Sequence, residues 1–313
     1  VSRLGVLVNP SAGHGRGSTG GRDAIAGLAR TGHEVIDLSG PSAIEALAHA
    51  RAALWEIDAV VVVGGDGMVH LGVNAVAGTN IPLGIVPYGS GNDFARCIGL
   101  PIHDVPAAVD VIVDALDRPP RIIDAIATRV HNPEGAPEQE TAVEWTACIL
   151  SAGFDAAVNG RANDFTWPKG EGRYLRGVAA ELIRFRPYGY RLTIDGVVRE
   201  QDATLVALAN AKSFGGGIPI APDAEVADGL IDVVIGDAMS RGQLIRLFGK
   251  LLKGNHLGDE KVHVVRAREV IMEALPGHNV PPQVFADGEP LGSLPIHARL
   301  RPGALRLLTP ADA

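Results

Sequence analysis

The feature that most constrains this chain is an unbroken apolar run, Ala59-Val60-Val61-Val62-Val63, that stops at Gly64-Gly65-Asp66-Gly67. Four β-branched residues without polar alternation leave no side for water, the pattern of a parallel strand covered on both faces. The flanking segments fit that reading. Residues 3–9, with Val6-Leu7-Val8 at their centre, read as one strand, residues 34–38 as another, and residues 83–86 as a fourth that ends at Pro87. Helical patterns lie near residues 22–29, 43–54, 69–77, 93–98 and 104–116. Repeated strand-turn-helix units imply a parallel sheet with right-handed crossovers.

After Pro119-Pro120 the texture changes. Residues 190–194 alternate apolar and polar, and Asp195-Gly196 supplies a type I′ turn into Val197-Val198, which predicts a hairpin. Residues 202–209, 231–235, 262–265, 269–274, 283–286 and 296–301 also read as strands, with helices near 174–185 and 241–252. The acidic, proline-bearing stretch 131–141 reads as an exposed loop. The expected fold is an α/β N-terminal domain with a mainly parallel sheet, residues 1–120, followed by a mainly antiparallel β-sandwich C-terminal domain, residues 121–313. The extreme C-terminus is free to pack back on the first domain. At 313 residues, 46% hydrophobic and 20% charged, the chain has apolar material for two such cores.

In a parallel sheet every strand-to-helix turn emerges at the carboxyl edge, where ligands bind. Three of these turns are glycine-rich: the stretch through Ser11-Ala12-Gly13-His14-Gly15 after Asn9, Gly64-Gly65-Asp66-Gly67 after Val63, and Gly89-Ser90-Gly91-Asn92-Asp93 after Pro87. Glycine lets backbone N–H groups approach an anion, and a following helix N-terminus favours negative charge. One such turn is most simply a strand terminator. Three in register, two with an Asp beside the glycines, point to a polyphosphate nucleotide. No Gly-x-x-x-x-Gly-Lys-Ser/Thr occurs, which excludes a P-loop. A dinucleotide fingerprint is weak, because Ser18 stands where the third glycine belongs and Asp37 alone could meet a ribose.

Taken together, Asn9-Pro10-Ser11-Ala12-Gly13, Gly64-Gly65-Asp66-Gly67 and Pro87-Tyr88-Gly89-Ser90-Gly91-Asn92-Asp93-Phe94-Ala95-Arg96 resemble the catalytic domain of diacylglycerol and sphingosine kinases, in particular the soluble bacterial lipid kinases. Gly153-Phe154-Asp155, Gly215-Gly216-Gly217, Ala221-Pro222-Asp223-Ala224 with Asp228-Gly229, and Asp287-Gly288-Glu289 look like that family's later signatures. The first block alone is shared with NAD kinases. The resemblance implies ATP bound by the first domain, in the cleft between domains. Asn9, Ser11, Ala12, Gly13, His14, Gly15, Gly64, Gly65, Asp66, Gly67, Gly89, Ser90, Asn92 and Asp93 would surround it, with Ser39 as a further contact. It also implies Glu289 as general base, although the residues alone favour a plain hairpin turn at Asp287-Gly288.

Asp66 would be the second catalytic carboxylate, as metal ligand or as base, with Mg²⁺ and phosphate geometry its preferred role and proton removal left to Glu289. A second, structural Mg²⁺ is implied at Glu225, Asp228 and the Leu230 carbonyl, a loop that otherwise reads as solvated and acidic. The chain departs from the family at Met68, where a Thr is usual, and at His70-Leu71, where Asn-Glu is usual, while Asn74 matches. Two other readings therefore stay open: a kinase of a soluble acceptor such as NAD, and a nucleotide- or lipid-binding regulator without turnover.

The formal charge of −8 argues against a broad nucleic-acid footprint. Residues 161–191 run against it, with seven basic side chains and three acidic ones, a local +4 that leaves −12 elsewhere. Six aromatics share the segment: Phe165, Trp167, Tyr174, Phe185, Tyr188 and Tyr190. That mixture suits peripheral contact with an anionic membrane surface carrying the lipid substrate, or else an amphipathic helix with solvated arginines and core aromatics. No apolar run approaches the roughly 20 residues needed to span a bilayer, and no leader-type stretch is read at the start. Two cysteines, Cys97 and Cys148, suit a reducing cytoplasm, with peripheral placement at the inner face of the membrane. The oligomeric state is left open, a homodimer among the options.

Overall fold

Every residue of the valine run is buried, within the third strand of a parallel sheet. The computed structural model describes residues 1–9, 17–130, 143–165 and 171–311, in two units. The first comprises Val1–Ala125, Gly215–Gly217 and Pro302–Ala313, the second Ile126–Phe214 and Ile218–Arg301. The predicted loop at 131–141 lies outside the described residues.

The first unit runs β1 (Arg3–Val8), α1 (Gly17–Arg30), β2 (Glu34–Asp37), α2 (Ala43–Ala53), β3 (Ala59–Gly64), α3 (Asp66–Val76), β4 (Leu83–Pro87), α4 (Asp93–Cys97) and α5 (Val105–Leu116). Strand order is β2-β1-β3-β4, parallel throughout. Alternate residues of β3 face opposite helix layers. Val61 and Val63 join Leu28, Val109 and Ile112 of α1 and α5 in one core. Val62 points the other way, where a Cβ added at Gly72 of α3 would meet it. Two helices start at side-chain caps: Ser42 accepts from the Glu45 N–H and Asp104 from the Ala107 N–H, satisfying donors that a helix start leaves open.

From β5 (Arg121–Val130) the chain enters the second unit. There follow β6 (Glu144–Thr146), β7 (Ile149–Gly153), α6 (Phe154–Asp164), α7 (Glu171–Arg184), β8 (Tyr188–Ile194), β9 (Val197–Ala209), β10 (Ile231–Asp237), α8 (Arg241–Leu251), β11 (Val262–Ala267), β12 (Glu269–Ala274), β13 (Val284–Ala286), β14 (Glu289–Gly292) and β15 (Ile296–Leu307). The pairings of this unit are antiparallel. The Asp195-Gly196 hairpin forms as predicted, with φ of 45° and 83° and Ile194 opposite Val197. The end of β15 returns to the first unit, where Leu307 pairs in parallel with Leu83 and Arg306 donates to the Thr79 carbonyl at 2.7 Å.

The aromatics of residues 161–191 that the structure describes are largely core. Phe185, Tyr188 and Tyr190 are buried, with Phe185 edge-on to Phe154 at 5.3 Å and to Tyr188 at 6.2 Å. Trp167 lies outside the described residues.

Beside them sits a carboxyl group that no solvent reaches. Asp155, in the first turn of α6, is lifted above its ordinary value of 3.8 by burial, against smaller opposing pulls from the Ser151 hydroxyl and nearby N–H groups. Burial first, then Glu181 and Asp155, push the Tyr188 phenol up to about 12. The native state thus holds a proton at Asp155 that the unfolded chain has already released. Stability should fall as pH rises from 3.8 through the folded-state value, then level off. Asp155→Asn, which removes the titration, should gain thermal stability over wild type across that window. A melting series in which the two proteins keep a constant gap at every pH would count against this account.

Candidate functional site

Strands β3 and β4 are neighbours, Gly64 opposite Pro87, so their two glycine turns leave the sheet side by side. The turns touch through their backbones. A Cβ at Gly65 would lie 3.0 Å from the Gly89 Cα, and one at Gly89 would collide with Gly65. Glycine is required at both by this approach.

One carboxylate locks the pair. Asp66, the first residue of α3, accepts from the Asn92 N–H at Oδ2 and from the Asp93 N–H at Oδ1, both at 2.8 Å. It thereby caps the start of α4 from the neighbouring turn. Asn92 tightens the same loop: its Oδ1 accepts from the Gly89 N–H at 3.0 Å and its Nδ2 donates to the Gly89 carbonyl at 2.8 Å. Its φ of 55° lies in the left-handed region that asparagine tolerates better than most residues. A side chain at Gly91 would strike the Asp66 carboxylate.

Asp93 carries the clamp one step further. Its carboxylate accepts from Gly216 at 2.8 Å and from Gly217 at 2.6 Å, which holds residues 215–217 in the first unit. The three glycines have φ of 61°, 86° and 97°, a backbone that glycine allows, and the Gly216 and Gly217 N–H groups converge on the Asp93 carboxylate. Sequence reading placed Asp93 among the nucleotide contacts and missed this partnership. The signal was present in Gly215-Gly216-Gly217, which needs a positive φ to be useful.

The remaining predicted residues of this edge fall as follows. Asn9 closes β1 by donating from its N–H to the Val63 carbonyl at 3.2 Å. Ser39 follows β2, and its hydroxyl accepts from the Val8 N–H at 2.9 Å. Ser90 and Gly67 are exposed. Ser11, Ala12, Gly13, His14 and Gly15 lie outside the described residues. Met68 is buried against Gly64, and the Asn74 amide is spent within α3 on the His70 carbonyl at 3.0 Å.

Glu289 belongs to the second unit. It is exposed and opens β14 directly after the Asp287-Gly288 turn, whose φ of 51° and 89° are those of a type I′ hairpin. That turn is more than a connector. Asp287 accepts from the N–H groups of Ala147, Cys148 and Ile149 at 2.9, 2.8 and 3.1 Å, fixing the base on which Glu289 stands.

In the acidic turn of the same unit, Glu225 is exposed, and Asp228 accepts from the Leu230 N–H at 3.0 Å. The other Asp228 oxygen pairs with Arg266, which also reaches toward Asp232, its cross-strand partner, at 3.7 Å. Burial first, then Asp223 and Glu225, raise the Asp232 carboxyl. Glu225, Asp228 and the Leu230 carbonyl are the hard oxygen donors that would hold the implied structural Mg²⁺, and Arg266 is the cation beside Asp228 in this structure. Among the described residues no group of three or more His, Cys, Asp or Glu side chains is arranged to hold a metal ion.

Comparison with known proteins covers both units. Residues 3–125 match the family described as diacylglycerol kinase catalytic domain. Residues 148–309 match the YegS C-terminal NAD kinase beta sandwich-like domain. A diacylglycerol kinase of Mycobacterium tuberculosis (strain ATCC 25618 / H37Rv) is 38% identical over 313 residues, covering 99% of this chain and 96% of the relative. One from Bacillus subtilis (strain 168) is 26% identical over 298 residues, covering 94% and 92%. The crystal structure of a diacylglycerol kinase from Bacillus anthracis str. Sterne shares the fold, with a TM-score of 0.69 at 20% identity over 99% of this chain and 97% of that one.

The clamp makes Asp66 a structural residue whatever else it does. Asp66→Ala should lower stability by roughly 1.5–3 kcal/mol, the range for losing hydrogen bonds to a charged group. Urea unfolding measures this, and a midpoint equal to wild type would mean the two turns do not depend on that carboxylate.

Proposed function

The chain belongs to the diacylglycerol kinase family of lipid kinases, and on that basis we propose that it transfers the γ-phosphoryl group of ATP to a hydroxyl of a diacylglycerol-like lipid. The observation that supports this most is the Asp66 clamp, which sets the starts of α3 and α4 side by side. The first turn of a helix leaves N–H groups without intrahelical partners, and its dipole favours anions. Gly65, Gly67, Gly89 and Ser90 let a phosphate chain come close to that edge. Asn9 and Ser39 lie at the ends of the neighbouring strands.

Asp66 also fits a nucleotide-borne Mg²⁺. Each of its oxygens accepts one of the two N–H groups, and Mg²⁺ needs only one or two carboxylates beside phosphates and water. When bound, Mg²⁺ offsets charge on the transferring phosphoryl oxygens. A lipid hydroxyl is a poor nucleophile, so its proton must leave as the new O–P bond forms and ADP departs. Glu289, held on the Asp287 turn, is the group assigned to take that proton.

The test is labelled ATP with diacylglycerol, ceramide, sphingosine, phosphatidylglycerol and NAD, for wild type and Glu289→Gln in parallel. Label should enter diacylglycerol, and the variant should lose about 10²-fold or more in turnover. Its stability should stay within about 0.5 kcal/mol, as for an exposed position. Label in NAD alone would overturn the lipid acceptor. ATP binding with no labelled acceptor would favour a regulator, the reading that Met68 motivates.

Peripheral membrane contact through residues 161–191 belongs to the same proposal. On α7 Arg176, Ile183 and Arg184 are exposed, as is Arg186 beyond it, whereas Arg161 pairs with Glu181 at 2.7 Å and Arg191 with Glu200 at 2.7 Å. Arg176 lies over the Phe165 ring at 4.1 Å. Arg173→Ala with Arg176→Ala should weaken co-sedimentation with anionic vesicles; equal binding by both proteins would end this part of the proposal.

A further inference from the structure

Helix α8 presents a cationic and apolar face that the kinase reading leaves unused. Its inner side is buried through Leu244 and Leu247, and Ser240 with Gln243 closes its start as a capping box. On the outer side Ile245, Gly249 and Leu252 follow at i, i+4 and i+7, one stripe on a 3.6-residue helix. Ile245 is 58% exposed and Leu252 55%. Arg241 is exposed one turn before Ile245 on that stripe, Arg246 is exposed beside it and Lys253 just past the helix end, while Lys250 is engaged by Asp259 at 2.7 Å. Residues 240–259 contain four Lys or Arg and one acidic residue, the Asp259 that engages Lys250, a local +3. Gly242 and Gly249 have open space where a Cβ would sit, so packing requires neither, although glycine weakens a helix interior. On the outer side they keep the face flat.

We propose that this face of α8 docks on an anionic lipid bilayer, with Ile245 and Leu252 entering the interface and Arg241, Arg246 and Lys253 reaching lipid phosphates. The inference rests on the lipid-kinase reading, which places the acceptor in such a surface. Charge selects the occupant. With +3 here and +4 in residues 161–191, a chain of −8 carries −15 elsewhere. An anionic surface therefore repels most of the molecule and attracts these segments, each cation adding to the pull. A second copy meeting through the same face would bring identical cations together, since a two-fold interface is self-complementary. Two exposed side chains also fall well short of the roughly 800 Å² that each partner of a stable pair buries.

The experiment is co-sedimentation of the full chain with phosphatidylcholine vesicles, with and without phosphatidylglycerol. Turnover of a water-soluble short-chain diacylglycerol is measured alongside, without vesicles. Wild type should bind the phosphatidylglycerol vesicles and release them as salt rises. The Arg241→Gln, Arg246→Gln, Lys253→Gln triple variant should lose roughly 100-fold in vesicle affinity, and the Ile245→Ser, Leu252→Ser double variant roughly ten-fold. Both should melt like wild type and phosphorylate the short-chain lipid at its rate. Vesicle binding by either variant equal to wild type overturns the docking face. So does light scattering that shows a wild-type dimer lost in the double variant while vesicle binding persists, because the occupant is then a second copy. Absent short-chain turnover in wild type, with the vesicle results as expected, would instead sink the kinase reading and leave the docking face standing.

Discussion

The first unit turns on one carboxylate shared between two backbone N–H groups. Parallel strands deliver consecutive strand-to-helix turns to the same edge, but nothing in a sheet ladder fixes the turns to each other once the strands have ended. Asp66 does so by accepting from Asn92 and Asp93, and the absence of side chains at Gly65 and Gly89 lets the backbones close to contact. The arrangement has an electrostatic consequence. A carboxylate set among helix N-termini cancels part of the field that would attract a bare triphosphate. Such an edge suits the proposed nucleotide, arriving with its own divalent cation, better than a free anion, and it does so through the accepting carboxylate that holds the turns together.

Asp93 repeats the device at longer range. Its partners, Gly216 and Gly217, lie more than a hundred residues away in sequence, yet they belong to the first unit because Asp93 holds them there. Two glycine-bearing blocks that look like separate signatures along the chain are thus the two halves of one hydrogen-bonded contact. Asp287 works the same way in the second unit, with three N–H groups of residues 147–149 on one carboxylate. In each case an Asp carboxylate organises backbone, and an exposed residue close by in sequence, Ser90 three positions before Asp93 or Glu289 two after Asp287, is left to face outward.

Local chemistry determined how much of this was legible beforehand. The valine run, the turn glycines and Asp195-Gly196 each admit few backbone conformations, so β3, its turn and the β8–β9 hairpin could be read from a handful of residues. Helix α6 could not. Its residues, Phe-Asp-Ala-Ala-Val-Asn-Gly-Arg-Ala-Asn-Asp, carry no clean 3.6-residue stripe, and its burial is imposed by β7, β9 and β13 around it. Strands β5, β6 and β7 escaped for a related reason, since what defines them is pairing with partners remote in sequence. The basic and aromatic stretch 161–191 had two physical readings, and tertiary packing decided for Phe185, Tyr188 and Tyr190, which became core. The acidic turn at 225–230 offered oxygen ligands on paper, and only the register of β10 with β11 brings Arg266 to them.

What remains is a problem of approach that the fold must solve with few means. Among the described residues no helix is long and apolar enough to cross a membrane, and the proposed reaction needs an acceptor that is held in a bilayer. A molecule of net −8 meets an anionic surface with repulsion that reaches about 10 Å at moderate salt. Spreading cations evenly would lower that repulsion everywhere and orient nothing. Concentrating them on short helical segments, one packed through Val178 and Leu182 and the other through Leu244 and Leu247, each fronted by an exposed isoleucine, leaves the average charge negative while giving those segments a cationic face. Orientation, rather than affinity, is what such a distribution supplies, and for a transfer between one nucleotide site and one lipid hydroxyl, orientation is the scarcer quantity.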